Sequence, residues 1–235
     1  MRVSRHLGVV AVSPEGAALL YRRLMHYCGC GSPDAMVPRV TIHSEPFGAY
    51  VRAIRGQDWH AVAELLAKSA RLLEAAGADL CLCPDHSVLH AMHLAEPGSP
   101  VPWLNMAELV AEAVRADGRQ AVGILGTKLV TQSAAYQTHL GIRGVRMIAP
   151  DADEADELER IVFEELVYGR LEARTRAWVI DLLSRLRDRG CEGVILGTSE
   201  APLLIQPGDS PVPLYDATDL LAIGGIRFAC GGVAA

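Results

Sequence analysis

Short apolar runs alternate with amphipathic stretches along this chain of 235 residues. Residues 7–12, 78–82, 121–125 and 193–197 are mostly apolar, which is typical of parallel strands buried on both faces. Helical spacing is clearest after Asp58, on a face formed by Val62, Leu65, Leu66, Leu72, Leu73 and Ala76. This alternation predicts an α/β fold in which right-handed crossovers build parallel-type central sheets.

The sequence also contains a weak internal repeat. The glycine-led runs 8–10 and 123–125 are similar, and the residue numbers of Cys83 and Thr198 differ by the same 115. The repeat predicts two similar α/β halves, pseudo-twofold related, with an active-site cleft between them; chance likeness of short runs is the alternative. The predicted halves are residues 1–103 with 213–235, carrying Cys83, and residues 104–212, carrying Thr198.

Composition narrows the class of partner. The chain is 50% hydrophobic, its net charge is −6 and its pI is about 5.7. Because no basic patch is present, nucleic acid and anionic membrane surfaces are not expected as partners. No apolar run reaches the roughly 18–20 residues of a membrane span, and residues 1–12 are interpreted as a buried strand without a signal-peptide cleavage pattern. A cytoplasmic protein is expected.

Six cysteines occur, several of them in or beside apolar runs, which indicates reduced thiols and no secreted disulfide framework. Cys28-Gly29-Cys30 and Cys81-Leu82-Cys83 are spaced too tightly for a usual zinc knuckle. The spacing of His86, His90 and His93 suggests a metal site only weakly. Ordinary histidines are the preferred interpretation, and no metal is expected.

Cys83 lies where an apolar run ends and the turn Cys83-Pro84-Asp85-His86-Ser87 begins. The amides at a helix start stabilise a thiolate and would lower the pKa of Cys83. A thiolate at this place can take a proton from carbon or attack an electrophile. The alternative is a small buried hydrophobic residue. His86 either assists the thiol or hydrogen-bonds the loop.

Hydroxyl groups follow three other apolar runs. They lie in Ser13, in Gly126-Thr127-Lys128 and in Thr198-Ser199-Glu200. Together with exposed helix amides, such hydroxyls form carboxylate sites, although each one alone is as well explained as a helix cap. Lys128 is one of only two lysines in the chain. Its loop lacks the spacing of a phosphate-binding P-loop.

These motifs, in this order, resemble the cofactor-independent aspartate/glutamate racemase family over nearly the whole chain. The first cysteine motif of that family is usually C-P-D-N-T or C-N-T, and the second is G-C-T-E-x-P. The matching stretches here are 8–22, 83–87, 102–108, 126–127, 165–169 and 196–202. One motif would be weak, but the ordered set is specific to the superfamily.

The resemblance implies two cysteines that exchange the α-proton of a small carboxylate substrate from opposite faces of Cα, with no cofactor and in a homodimer. Cys83 keeps the first role, as the thiolate base. Thr198 stands where the second cysteine is expected, and a hydroxyl is a far weaker acid and base than a thiol. His86 and Ser87 replace the usual Asn and Thr of the first motif.

Three hypotheses follow for the function. The first is a racemase-class isomerase acting at Cα of a small amino acid or dicarboxylate, with Cys83 as the base and Thr198 as a poor catalytic partner or as a group that positions water. The second is a single-cysteine isomerase or decarboxylase acting on a related acid, and the third is a non-catalytic binding homologue. The expected substrate-binding residues are Ser13, His86, Ser87, Thr127, Lys128, Ser199 and Glu200.

Overall fold

A computed structural model of the chain describes residues 5–29 and 37–231. Cys30 and most of the Gly/Pro-rich loop that the sequence predicts at residues 28–38 lie outside this part. The chain forms two compact units. One consists of Met1–Met106 with Thr218–Ala235, and the other of Ala107–Ala217.

The first unit contains a four-stranded sheet in the order β2-β1-β3-β4, with every neighbouring pair parallel. Its strands are β1 Leu7–Ala11, β2 Val40–Ser44, β3 Leu80–Leu82 and β4 Trp103–Leu104. All residues of β1 and β3 are buried, as expected for central strands that are covered on both faces.

Among residues 5–29, 37–106 and 217–231, five helices belong wholly or mainly to this unit. They are α1 Pro14–Tyr27, α2 Phe47–Arg55, α3 Trp59–Ala75, α4 Leu89–Ala95 and α11 Ala217–Ala229. Single 3₁₀ turns occupy His86–Val88 and Glu96–Gly98. The sequence analysis missed α2, because its N-cap is Pro46, which makes no side-chain cap bond, and its first turn lacks an acidic residue.

The buried face of α3 is rotated from the one that the sequence predicts. Leu72 is 47% exposed, and Leu65 is only partly buried. The buried positions are Val62, Ala63, Leu66, Ser69, Ala70 and Leu73. Alanines at 63 and 70 let this side of the helix approach the sheet closely, which hydrophobicity alone does not reveal.

The second unit contains another parallel four-stranded sheet, in the order β6-β5-β7-β8. Its strands are β5 Ala121–Leu125, β6 Arg146–Ile148, β7 Val194–Leu196 and β8 Leu214–Asp216. Counted along the chain, the four strands of each sheet are arranged in the same order. The predicted α/β class and the two similar halves are therefore confirmed.

Six helices surround this sheet. They are α5 Met106–Ala116, α6 Lys128–Thr131, α7 Ala134–Gly141, α8 Ala152–Glu164, α9 Ala173–Asp188 and α10 Ala201–Leu204. The sequence predicts one helix through Tyr136, but α6 and α7 are separate because Ser133 caps a new helix through the amide of Ala135. Asp151 and Glu154 form a capping box at the start of α8.

The internal repeat corresponds to a packing feature. A Cβ placed on Gly8 of β1 would lie 3.1 Å from both Ala78 and Leu73. A Cβ on Gly123 of β5 would lie 3.2 Å from Cys191 and from Leu186. In each unit, a glycine on a central strand therefore allows a long helix and the turn after it to pack closely against the sheet. That helix, α3 or α9, leads into the neighbouring strand, β3 or β7.

The described helices are too short or too polar to cross a bilayer, so none of them is a candidate membrane span.

Candidate active site

Cys83 follows β3 directly and is 3% exposed. Its neighbour in the sheet is β1, which pairs with β3 in parallel through Val9 and Leu82, so Ser13 and Cys83 leave the sheet at the same edge. The backbone N–H of Asp85 donates a hydrogen bond to the Cys83 sulfur. The thiol is thus held at the carboxyl edge of a parallel sheet, where open α/β proteins place their sites.

Burial raises the pKa of the Cys83 thiol, and the nearby Asp85 carboxylate raises it further, whereas the Asp85 amide lowers it. The lowered pKa predicted from the sequence is therefore wrong. The turn that follows is one 3₁₀ turn, which offers few amides, and desolvation of the thiolate outweighs them. Cys83 holds its proton at neutral pH. Burial also raises the pKa of Cys81 to about 12.

The rest of the first motif forms a tightly bonded turn. The Asp85 carboxylate accepts from the Ser87 amide at 2.9 Å and from the Ser87 hydroxyl at 2.5 Å. Burial lowers the pKa of His86 to about 3, so its imidazole is neutral under ordinary conditions. The ring of His90 packs against Trp59, with centroids 4.7 Å apart. Across the described parts of the chain, no three His, Cys, Asp or Glu side chains converge as a metal site.

Ser13 caps α1, and its hydroxyl accepts from the Gly16 amide at 3.2 Å. The helix-cap alternative is confirmed for this residue. Thr127 is the N-cap residue of α6, but its side chain makes no cap bond. Any role of these two hydroxyls in binding a carboxylate stays a prediction.

A buried polar cluster that the sequence analysis missed begins at the carboxyl end of β2. His43 Nδ1 and the fully buried Ser69 hydroxyl are 3.1 Å apart, and Lys68 donates to the buried Glu45 at 2.9 Å. Desolvation raises the pKa of the fully buried Tyr50, and the charges of Cys83 and Glu45 raise it further. The available signal was Ser69, the only polar residue on the predicted apolar face of α3.

The matching edge of the second sheet depends on two glycines. The Gly197 amide donates to the Leu125 carbonyl at 2.6 Å, and a Cβ on Gly126 would lie 3.0 Å from the Gly197 carbonyl oxygen. The ends of β5 and β7 therefore approach more closely than side chains at these positions allow. This approach sets Thr127 and Thr198 at the ends of neighbouring strands.

Thr198 is partly buried, while Ser199 and Glu200 are 6% and 9% exposed. The Thr198 hydroxyl donates to Glu200 Oε2 at 3.0 Å, and the Glu200 amide donates back to the hydroxyl at 3.2 Å. The predicted residues Thr198 and Glu200 are thus brought together within one turn.

Lys128 does not present a free amine. Its ammonium group forms an ion pair with Asp156, and its backbone N–H donates to Glu159 Oε2 at 3.0 Å. The hydrogen bond to Asp156 raises the pKa of Lys128. A carboxylate substrate would have to compete with Asp156 for this cation.

A groove of about 940 Å³ lies between α2 and α3 in the first unit. Ala49, Arg52, Asp58 and Lys68 are among the residues that line it. None of the site residues predicted from the sequence lines this groove, so it is separate from the Cys83 turn.

Comparison with known proteins identifies the family and agrees with the fold. The Asp/Glu/hydantoin racemase family model matches residues 7–223. A candidate Asp/Glu racemase from Yersinia pestis is similar in structure, with a TM-score of 0.88, 24% identity, and coverage of 96% of this chain and 99% of that one. An aspartate racemase homologue from Pyrococcus horikoshii OT3 has a TM-score of 0.84, 28% identity and the same two coverages.

A more distant likeness is to glutamate racemase from Francisella tularensis subsp. tularensis SCHU S4, solved with D-glutamate. Its TM-score is 0.65 and its identity is 16%, over 97% of this chain and 82% of that one. This likeness supports the fold alone. Because the family model covers most of the sequence, the chain belongs to the Asp/Glu/hydantoin racemase family and is a racemase-type enzyme.

Proposed function

We propose that the chain is a cofactor-independent isomerase acting at Cα of a small amino acid or dicarboxylate, with Cys83 transferring a proton to or from that carbon. The observation that carries this proposal is the placement of Cys83. Its thiol is buried at the carboxyl edge of the first sheet and is fixed by the Asp85 amide.

Inversion at Cα needs only a group that removes the α-proton and a group that returns a proton. Removing the α-proton sends the electron pair of the C–H bond into the adjacent carboxyl group, and returning a proton from the other side inverts the centre. A positioned acid or base contributes about 10²–10⁴-fold to such a transfer. Cys83 supplies one group. The carboxylate of the substrate is proposed to bind through Ser13, His86, Ser87, Thr127, Lys128, Ser199 and Glu200.

A second candidate is a one-sided reaction, either cis–trans isomerisation through a Cys83 adduct or decarboxylation with protonation from one side. The observation that favours it is Thr198, a hydroxyl in the position of the second cysteine of the family motif. A hydroxyl is a far weaker acid and base than a thiol, so proton transfer at the two faces of Cα would be unequal and a two-base racemisation would be slow.

Loss of the Cα proton in deuterated water tests the proposal. L and D forms of small amino acids, and dicarboxylates with an α-proton, are incubated with the wild-type protein and followed by proton NMR. We expect exchange and interconversion for at least one acid, and loss of interconversion in Cys83→Ala. Cys81→Ala, which removes the buried thiol within β3, is the matched control. Full interconversion by Cys83→Ala would exclude the proposed role.

Two finer expectations accompany this function. We propose a homodimer, which sedimentation equilibrium would test, and a cytoplasmic location, which cell fractionation would test. A monomer at all concentrations, or recovery in another fraction, would contradict the respective expectation.

A further inference from the structure

The two motif turns share one spacing. Asp85 lies two residues after Cys83, and Glu200 lies two residues after Thr198. In each turn, the backbone N–H of the acidic residue donates to the side chain of the earlier residue, to sulfur in one turn and to the hydroxyl oxygen in the other. The turns therefore match in backbone contact as well as in sequence position.

The carboxylates of the two turns are used differently. Asp85 Oδ1 accepts both the amide and the hydroxyl of Ser87, which lies further along its own turn. Glu200 Oε2 instead accepts the Thr198 hydroxyl proton at 3.0 Å. Because glutamate is one methylene longer than aspartate, its carboxylate can fold back on the residue two positions earlier. Only the second turn joins its motif side chain to a carboxylate in this way.

This difference changes what each turn can do to a proton. The pKa of Cys83 is raised by burial and by the charge of Asp85, so the thiol keeps its proton and is suited to donate it. A threonine hydroxyl alone is a poor base, because it must lose its own proton when it accepts another. A carboxylate that already accepts this proton removes the obstacle.

We infer that Glu200 is the proton acceptor of the second turn, acting through the Thr198 hydroxyl. This inference rests on the proposed racemase-type function. The Cα–H bond breaks and its proton passes to Thr198 Oγ1, while the Oγ1–H proton passes to Glu200 Oε2. The electron pair enters the substrate carboxyl group. For α-proton exchange, Glu200 Oε2 gives its proton back to Thr198 Oγ1 as Oγ1 returns a proton to Cα, and solvent deuterium enters because the Glu200 carboxyl proton exchanges with water.

Unequal α-proton exchange from the two enantiomers follows from this assignment. One enantiomer, the fast one, presents its α-proton to the Thr198–Glu200 pair, and the other presents it on the opposite face of Cα, where this pair cannot accept it. We therefore expect α-proton exchange to be faster from one enantiomer than from the other. A symmetrical pair of thiols has no such built-in preference.

The test measures exchange of each enantiomer separately in deuterated water. Glu200→Gln keeps the shape and the acceptor oxygen but cannot accept a proton, and Thr198→Val removes the hydroxyl. Both should slow exchange of the fast enantiomer by about 10²–10⁴-fold and change the slow one much less. Thr198→Ser, which keeps the hydroxyl, should restore most of the fast exchange.

Cys83→Ala separates the two roles. It should leave the fast enantiomer able to exchange with retention of configuration, while interconversion stops. If Glu200 only shaped the loop, Glu200→Gln would slow both enantiomers by the same factor, which would overturn the inference and leave the proposed function standing. Absence of exchange from every acid with the wild-type protein would overturn both.

Discussion

The Gly197 amide lies 2.6 Å from the Leu125 carbonyl oxygen, and a Cβ on Gly197 would lie 2.8 Å from the same oxygen. This contact joins the ends of β5 and β7 immediately before Thr198. A real Cβ essentially never comes so close to a backbone oxygen, so the strand ends would have to separate.

Gly197→Ala should therefore destabilise the protein by about 1–3 kcal/mol, as overpacking does, and should also lower activity by displacing Thr198. Urea unfolding measures the first effect. Gly208→Ala is the matched control, because a Cβ there meets nothing within 4 Å. Equal stability of the two variants would contradict the account of this strand end.

His86 should make the free energy of unfolding depend on pH between about pH 5 and pH 6.5, above the range in which most carboxylates titrate. Its pKa is about 3 in the folded protein and about 6.5 when unfolded, so the unfolded chain binds the proton more readily as pH falls. The contribution is complete above pH 6.5 and is lost progressively towards pH 3.

The free energy of unfolding should accordingly decrease from pH 7 to pH 5, and the decrease should be smaller in His86→Gln than in the wild-type protein. Urea titrations at the two pH values provide this comparison. An identical decrease in both proteins would mean that His86 is not buried in its neutral form.

The hydrogen bond from Thr175 to Glu165 in the second unit should stabilise the folded protein. The buried Thr175 hydroxyl donates to Glu165 Oε2 at 2.5 Å, and Arg160 donates to the other oxygen at 2.9 Å. The Thr175 bond is the main cause that lowers the pKa of Glu165. Its stabilising contribution is therefore present above the unfolded pKa and is lost as pH falls through the lowered value.

Thr175→Val should cost about 1–3 kcal/mol at pH 7, because it leaves a buried carboxylate oxygen without its donor. The cost should shrink as pH falls through the lowered pKa of Glu165, and Thr175→Ser should restore most of the stability. Denaturation curves at pH 7 and at successively lower pH values measure both effects. A cost that is the same at all these pH values would indicate lost packing instead.

Lys128 should contribute to substrate affinity in competition with Asp156. If the ammonium group binds a substrate carboxylate, Lys128→Met should raise KM with little change in kcat, and Asp156→Asn should lower KM by freeing the cation. Steady-state kinetics on the acid found in the exchange screen would show this. Opposite or absent KM changes would remove Lys128 from the proposed binding residues.

The sequence was sufficient for the central strands β1, β3, β5 and β7, because continuous apolar runs such as residues 7–12 and 121–125 have few alternatives to a buried parallel strand. It did not predict the edge strand β4, Trp103–Leu104. The sequence was insufficient for properties that depend on contacts between residues distant in the chain. The pKa of Cys83 depends on desolvation, which local spacing does not encode. The cluster of His43, Glu45 and Ser69 joins a strand end to a helix that follows later in the chain.

The helix α2 was missed for a related reason. Its start has neither an N-capping side chain nor an acidic first turn, and it is stabilised by contact with α3 and by the burial of Tyr50. By contrast, the hydrogen bond between Thr198 and Glu200 joins two residues of one short sequence motif. Its importance became apparent only when the direction of the Glu200 carboxylate could be compared with that of Asp85.

The most direct test of the central claim is the rate of enantiomer interconversion after Thr198→Cys. If Thr198 stands where a second proton-transferring thiol belongs, interconversion should rise by about tenfold or more, and adding Cys83→Ala should abolish the gain. Unchanged interconversion in a folded Thr198→Cys protein, or a gain that persists without Cys83, would contradict the account.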